Sequence, residues 1–462
     1  MNFEQLPGFP KIWLDFLQSR LPILSASHTI EELVARAADV RNGAAGDEDL
    51  IRNLAGAVAD SPQHSQNVQR LGRRGSFAIV AGIGASLFGG HLCQLLKCMT
   101  AIKLCEELAK HSISAVPVAW IGANPLPGTS LRPVHLIDAG GQIRPVETPP
   151  GDPVIRDEIS GTLSEIAKFG DGAFDPEVLE TLKAAFSPGR SIQSGCARLF
   201  SVLMKEWGMV VLDPGAPEVQ PVIEEVRTRV CSRTPQDESL FRDETARIAD
   251  QPGDAFSPGF LIQSAILPVL ACVVDPLDIY PVAASLAAFD KLGLARPAAW
   301  PRTSATVGDV RSRRTLSRYN LDLVQLYSGA DEVMRGISNS LPHSAPEKLD
   351  GLIVEVESRI KQLKSIAPAE KELSATADSC GEKIVYQLGK LRDKTRAALD
   401  LKEKTANRQI HMACNWLAPN RNVQERELAF VQIPLSFSLA GLRKLYDRLD
   451  ILTFEHQLIW MD

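Results

Sequence analysis

The chain has 462 residues, of which 45% are hydrophobic and 23% are charged, as in ordinary folded proteins. Its formal net charge of -6 provides no basic stripe, which argues against nucleic acid as a partner. The longest apolar stretch, residues 260–274, is interrupted by Gln263, Ser264 and Pro268, and residues 1–18 lack the pattern of a signal peptide. We therefore expect a cytoplasmic protein without a membrane-spanning helix.

Residues 1–75 have a helical pattern. Ile30, Leu33 and Ala37 are spaced by three and four residues, as one face of a helix requires. Asp47 and Ser61 are predicted to cap the helices that follow them.

A strand–helix–strand unit is predicted between residues 75 and 121. Residues 77–80 and 115–121 are short apolar runs rich in β-branched side chains. A glycine-rich turn at residues 81–90 and about twenty residues with helical periodicity lie between them. Strand, helix and strand with short joints form a right-handed crossover, so this unit predicts a parallel sheet.

The glycine-rich turn only partly fits a dinucleotide-binding motif. Gly82 and Gly84 fit the G-x-G-x-x-G pattern, but Leu87 occupies the third glycine position. No acidic residue ends the second strand, where a ribose partner is expected, so an NAD site is not predicted. Two interpretations remain for the turn, which ends at Gly89 and Gly90. Its backbone amides bind an anionic ligand, or it is a tight turn that needs positive φ.

His91 and Lys97 follow this turn on the predicted helix. Lys97 could reach a phosphate or a carboxylate, although a lysine on a helix is more often exposed. His91 could donate to an anion at the helix start, or serve as a polar cap residue.

A second α/β stretch occupies the middle of the chain. Helices are predicted at residues 176–186, 197–207 and 281–292, and Gly208 is predicted to end the second of them. Strands are predicted at residues 209–212 and from residue 297 to Trp300.

A coiled coil is predicted for residues 346–410, which are rich in Lys, Glu, Leu and Ala. Apolar residues alternate at spacings of three and four, which is typical of a coiled-coil seam. The break at Ala367–Pro368 predicts an antiparallel hairpin of two helices. The predicted seam consists of Leu349, Ile353, Val356, Ile360, Leu363, Leu373, Ala377, Ile384, Leu388, Leu391 and Ala398.

The eight cysteines form no C-x-x-C pair, and no histidine spacing indicates a metal site. Cys196 lies close to a predicted helix start, where a thiol can be activated. No base accompanies it in the sequence, so buried cysteines in a reducing compartment are the preferred interpretation.

A polar loop is predicted at residues 419–426, between the coiled coil and the last segment. It contains Asn420, Gln424 and Arg426. Such a loop is well placed to line a binding site, although a solvated surface turn is the alternative.

Several blocks, taken in order, resemble the cysteine-adding enzymes of bacillithiol biosynthesis, the BshC family. Each block alone is weak, but their common order along nearly the whole chain is specific. The blocks are residues 80–82 with Gly89, Gly90 and Lys97; 100–102; 116–120; 211–214; 256–258; 267–268 and Pro276; 301–302 with Ser304; 419–420; 424–426; and 454–457.

The resemblance implies an α/β fold with a Rossmann-like parallel-sheet core, helical connecting insertions, an inserted antiparallel coiled coil and a homodimer. The expected domains are a core at residues 1–340, a coiled coil at 345–411 and a segment returning to the core at 412–462. The implied activity joins cysteine to glucosaminyl-malate in an amide bond. Because water favours the reverse reaction, we expect a nucleotide, ATP, to activate the acyl group.

The resemblance and the motifs together predict a set of residues that bind substrate or nucleotide. No catalytic base and no metal ligand is assigned. The predicted residues are Gly82, Gly84, Gly89, Gly90, His91, Lys97, Arg302, Asn420, Gln424 and Arg426.

The chain departs from the family pattern at polar positions. Ile83 and Gly84 replace a glutamine pair, and residues 124–127 replace an acidic-histidine cluster. Gln263–Ser264 replaces Arg-Pro, and residues 274–278 replace a Gly-Gly-Pro-Ala-Glu run. An absent acid or base cannot transfer a proton. The alternative hypothesis is therefore a catalytically impaired or substrate-divergent homologue that acts as a binding or regulatory protein.

Overall fold

A computed structural model describes residues 1–21, 24, 26–40, 48–55, 61–122, 133–146, 154–155, 157–170, 172–217, 219–233, 259–338, 344–366 and 371–461. The described strands are β1 (Ser76–Ile83), β2 (Ser114–Ile121), β3 (Val134–Ile137), β4 (Ile143–Val146), β5 (Val210–Leu212), β6 (Val269–Val274), β7 (Ala298–Pro301), β8 (Ser304–Asp309) and β9 (His456–Met461). Short 3₁₀ turns lie at Phe3–Gln5, Leu87–Gly89, Lys205–Trp207, Pro419–Arg421 and Gln424–Arg426.

The described helices cover much of the remaining chain. They are α1 (Lys11–Leu17), α2 (Ile30–Val40), α3 (Glu48–Ala55), α4 (Pro62–Leu71), α5 (Leu92–Lys110), α6 (Asp157–Gly170), α7 (Pro176–Ala185), α8 (Ile192–Leu203), α9 (Gln220–Arg233), α10 (Gly259–Ile266), α11 (Ile279–Leu292), α12 (Val310–Tyr319), α13 (Leu323–Leu326), α14 (Ala330–Ser338), α15 (Ser344–Ile366), α16 (Lys371–Leu417) and α17 (Gln432–Arg448). None of these helices is long and apolar enough to cross a membrane.

Five parallel strands of the described chain form the central sheet in the order β5-β2-β1-β6-β7. Strands β1 and β2 pair in register from Ser76 with Ser114 to Ile83 with Ile121. The chain starts at β1 in the middle, builds one side through β2 and β5, and then builds the other side through β6 and β7. This order confirms the predicted Rossmann-like sheet. The direction in which successive strands are added to the sheet reverses between β1 and β6, and this place is called the switch point. Ligands of such sheets bind there, at the carboxyl ends of the strands.

Both faces of the sheet are covered by apolar side chains. On β1, Ile79 and Ala81 belong to the core on one face, and Ala78 and Val80 to the core on the other. Burial on both faces explains why the strand is a continuous apolar run rather than an alternating one. Helix α5 packs on β1 and β2, as the crossover requires.

Local caps set several helix boundaries. Ser61 Oγ accepts a hydrogen bond from His64 N, which confirms the predicted cap of α4, whereas Asp47 lies outside the described residues. Gly208 has φ 63°, as predicted for a residue that ends a helical segment. The prediction that the preceding helix starts at residue 197 is wrong: α8 starts at Ile192, because Ser191 caps it by accepting from Ser194 N.

A small parallel sheet joins distant parts of the chain. Strand β9 pairs with β8 in register from His456 with Ser304 to Met461 with Asp309. Strands β3 and β4 form a separate antiparallel pair. The β8–β9 pair attaches the last described residues directly to the strand that follows the end of β7.

The chain divides into two units, residues 1–310 with 415–462 and residues 311–414. The predicted core extended to residue 340, but residues 311–338 belong to the second unit. Helices α12 to α14 form there. Their mixed polar and apolar sequence gives no signal of a domain boundary near residue 310.

In the second unit, α15 and α16 run antiparallel. Lys364 of α15 pairs with Asp378 of α16 at 2.7 Å, and Asp350 of α15 pairs with Arg392 of α16 at 2.8 Å. A residue nearer the end of α15 thus pairs with one nearer the start of α16, as antiparallel helices require. This confirms the predicted hairpin, although its turn at Ala367–Pro368 lies outside the described residues.

The predicted seam of α16 is wrong in part. Ile384 and Leu391 are 48% and 51% exposed, whereas Gly381 is buried. A Cβ on Gly381 would clash with the side chain of Ile360 on α15. Val385 is also more buried than Ile384. Two adjacent apolar stripes run along α16, and the spacing alone does not say which one faces α15.

Candidate functional site

Lys97 lies at the switch point between β1 and β6. Its Nζ donates to Gly82 O at 2.7 Å and to Asp278 Oδ2 at 2.6 Å. The Lys97 side chain is 3% exposed and that of Asp278 is 24% exposed. The expectation that Lys97 is an exposed helix residue is therefore wrong: the side chain points from α5 onto the end of β1, and the buried ammonium is neutralised by a carboxylate.

Two aspartates follow the last residue of β6. Asp278 Oδ2 also accepts from Asp275 N at 2.9 Å, and Asp275 Oδ1 accepts from Leu277 N at 2.8 Å. Burial raises the pKa of Asp278 to about 6, against the opposing charge of Lys97. Burial would also raise the pKa of Asp275, but Lys97 and Arg302 hold that pKa below its ordinary value.

Arg302 and Glu425 form a second ion pair directly after β7. Arg302 Nη2 lies 2.8 Å from Glu425 Oε1, and the two side chains are 1% and 0% exposed. Arg302 Nη1 donates to Thr303 O at 3.1 Å, while Nε is buried without a hydrogen-bond partner among the described residues. Glu425 also accepts from Ser304 Oγ and from Ala305 N, so both of its oxygens have partners.

His456 extends this network on β9. Its Nδ1 lies 2.7 Å from Ser304 Oγ, and its Nε2 lies 2.8 Å from Thr306 Oγ1. Burial lowers the pKa of His456 to about 4, so the ring is neutral at pH 7. Because Ser304 donates its proton to Glu425, the ring must donate from Nδ1 and accept from Thr306 at Nε2. This network holds β8 and β9 at the edge of the site.

The glycine-rich turn contacts the segment that follows the polar loop. Gly89 and Gly90 have φ 82° and 73°, and a Cβ on Gly89 would lie 3.0 Å from the Phe430 ring. Phe430 N donates to Gly90 O at 2.7 Å. Gly84 is more open, since a Cβ there would meet only the Gln94 amide at 3.9 Å. Positive φ and close packing thus account for two of the glycines, and Gly84 keeps room for a ligand.

His91 occupies the N-cap position of α5, and its side chain forms no cap hydrogen bond. The structure thus places it beside the glycine-rich turn, where its predicted contact with an anion stays a prediction.

The polar loop is buried rather than solvated at Gln424. Gln424 Oε1 accepts from Val307 N at 2.7 Å, and Nε2 donates to Trp416 O at 2.7 Å, so its amide holds the loop against β8. Asn420 Nδ2 donates to Glu427 Oε2 at 2.9 Å. Arg426 donates to Gly8 O and lies over the Phe9 ring.

The structure therefore brings one part of the predicted residues together at the switch point. Gly82, Lys97 and Arg302 lie there, whereas Asn420 and Gln424 contact the loop and its neighbours. Direct binding by any predicted residue stays a prediction. Asp275, Asp278, Glu425 and His456 were missing from the predicted set, although two carboxylates directly after a buried strand are a signal that sequence can give.

The thiols do not form a reactive or metal-binding group in the described chain. Cys196 is buried, and burial raises its pKa to about 12, as expected for a structural cysteine. Cys93, in the first turn of α5, is partly exposed, and burial raises its pKa to about 12. Among the described residues, no three His, Cys, Asp or Glu side chains are placed to hold a metal ion.

Comparison with known proteins gives two family matches. Residues 25–256 match the N-terminal Rossmann-like domain of the bacillithiol biosynthesis protein BshC. Residues 305–461 match the C-terminal coiled-coil domain of the same protein.

Three curated relatives match more than four fifths of this chain. A protein of Koribacter versatilis is 23% identical over 84% of both chains, one of Solibacter usitatus is 21% identical over 88% of both, and one of Salinibacter ruber is 22% identical over 83% of both. Each carries the name "Putative cysteine ligase BshC".

Proposed function

Because this chain belongs to the BshC family of bacillithiol biosynthesis, we propose that it is a ligase that joins cysteine to glucosaminyl-malate. The observation that supports the proposal best is the paired charged cluster of Lys97, Asp278, Arg302 and Glu425 at the switch point. Sheets of this order bind their ligands at that place. Small molecules with charged groups are therefore the expected substrates.

The proposed reaction needs an activated carboxyl group. Attack of the glucosaminyl amine on the carboxyl of cysteine would release water, and condensation in water is unfavourable. We propose that ATP activates this carboxyl, so that a phosphate-containing group leaves instead of water. The open backbone at Gly84, before the N-terminus of α5, is where backbone amides would hold a phosphate. Lys97 is engaged by Asp278 and is not needed for this contact. Because the cytoplasm supplies both ATP and cysteine, the proposed reaction fits a cytoplasmic enzyme.

Reconstitution with purified protein tests the activity. We expect bacillithiol to form from cysteine, glucosaminyl-malate and ATP, as measured by thiol labelling and mass spectrometry, and not to form without ATP. Expression in a bacterium that lacks its own cysteine-adding enzyme should restore bacillithiol. Folded protein that binds these substrates and yields no product in either assay would favour the alternative, a homologue that acts as a binding or regulatory protein.

We also propose a homodimer formed through the helical hairpin. Ile384 and Leu391, seven residues apart on α16, form an exposed apolar stripe that a second copy can cover. Replacing both by Glu is expected to halve the mass measured by light scattering. Leu452→Glu, at a residue 50% exposed outside the hairpin, is the control and should keep the mass of the parent. A parent protein that has the mass of one chain would contradict the proposal.

A further inference from the structure

One carboxylate at the switch point is left over after the ion pairs are formed. Lys97 pairs with Asp278, and Arg302 pairs with Glu425, so these four side chains neutralise one another. Asp275 is 6% exposed and belongs to neither pair. Among the described residues, the cluster therefore holds one negative charge without a direct cation partner.

Only one oxygen of Asp275 is used. Oδ1 accepts from Leu277 N at 2.8 Å, and Oδ2 accepts no hydrogen bond from the described part of the chain. The charges of Lys97 and Arg302 keep the pKa of Asp275 below its ordinary value despite burial, so the group is ionised at pH 7. A buried ionised carboxylate is costly unless a cation pairs with it.

Asp275 lies beside Arg302 at the carboxyl ends of β6 and β7. Arg302 N donates to Val274 O at 2.9 Å, and Val274 is the last residue of β6, directly before Asp275. Sheets of this order bind their ligands at this end of the strands. The unused carboxylate oxygen of Asp275 therefore indicates a ligand with a cationic group.

We propose that Asp275 binds the α-ammonium group of an amino-acid substrate. The assignment rests on the proposed ligase function and specifies which part of which substrate this site holds. A carboxylate that is a weak base is suited to an amine that keeps its proton. The amino group of cysteine keeps its proton while its carboxyl reacts, whereas the attacking amine of the other substrate must lose one.

Binding of three thiols to the full chain at pH 7 tests the assignment. L-Cysteine carries the ammonium group, 3-mercaptopropionate lacks it, and N-acetyl-L-cysteine has it blocked. We expect isothermal titration calorimetry to show cysteine binding at least about tenfold tighter than the other two, as one charge pair in a partly buried site provides. Equal affinity for the three, or no cysteine binding, would overturn the assignment without any variant.

Asp275→Asn removes the charge at nearly constant shape and is expected to abolish the preference. Asp290→Asn is the matched control, because Asp290 is 64% exposed and pairs with Arg296 at the surface. If the Asp275→Asn protein makes bacillithiol with an unchanged KM for cysteine, this assignment is overturned and the proposed ligase function stands. If the protein has no ligase activity but prefers cysteine in a way that depends on Asp275, the proposed ligase function is wrong and the assignment of Asp275 stands.

Discussion

Glu425→Gln is expected to lower the free energy of unfolding by about 3–5 kcal/mol, because removing one partner of a buried ion pair leaves the other charge uncompensated. Arg302 would keep its positive charge with its side chain 1% exposed. The amide oxygen of the variant can still accept from Ser304 Oγ, but its NH2 group cannot accept from Ala305 N, so the loss includes one backbone hydrogen bond as well as the charge. Urea denaturation followed by circular dichroism measures the difference.

An exposed ion pair provides the matched control for this variant. Glu180 pairs with Lys183 on α7, and its side chain is 71% exposed. Glu180→Gln makes the same chemical change where water screens the charge, so the expected loss is below about 0.5 kcal/mol. Similar losses in the two variants would show that burial of the Arg302 pair has no special weight.

Lys97→Met is expected to lower both activity and stability. The variant leaves Asp278 without its cation and frees Gly82 O at the switch point. Shifts of about 1 Å in a reacting group cost roughly 100-fold in rate, so we expect kcat/KM for bacillithiol formation to fall about 100-fold. The free energy of unfolding should fall by about 3 kcal/mol.

The double variant Lys97→Met with Asp278→Asn separates the two effects. It removes both charges, so stability should largely return, because an unpaired buried charge is no longer present. Activity should stay low, since the lysine that orders the end of β1 is still absent. Lys183→Met, at a lysine side chain 46% exposed, is the control for loss of a lysine. Return of activity together with stability would reduce Lys97 to a structural residue.

The sheet and the hairpin were predictable because their signals are local. Apolar runs of β-branched residues, a helix of about twenty residues and short joints fit only a crossover, and β1, α5 and β2 confirm it. The alternating spacings of three and four likewise predicted α15 and α16. In both cases the residues that determine the element lie within it.

The charged cluster could not be predicted in the same way. The burial of Lys97 depends on Asp278, 181 residues further along the chain. An isolated lysine with helical spacing gives no indication of such a partner, so the sequence favours the commoner exposed state. The two stripes of α16 show the same limit, because the choice between Ile384 and Val385 depends on the opposite helix.

The pairing of β8 with β9 also sets an order of events during synthesis. Ser304 is made 152 residues before His456, and 121 residues before Glu425. Until the ribosome has released these later residues, Arg302 and Ser304 emerge without their partners, and the edge of β8 stays open. Domains whose contacts span long stretches of chain expose apolar surface while they wait. A nascent chain stalled before residue 425 should therefore bind chaperones that the finished protein does not bind.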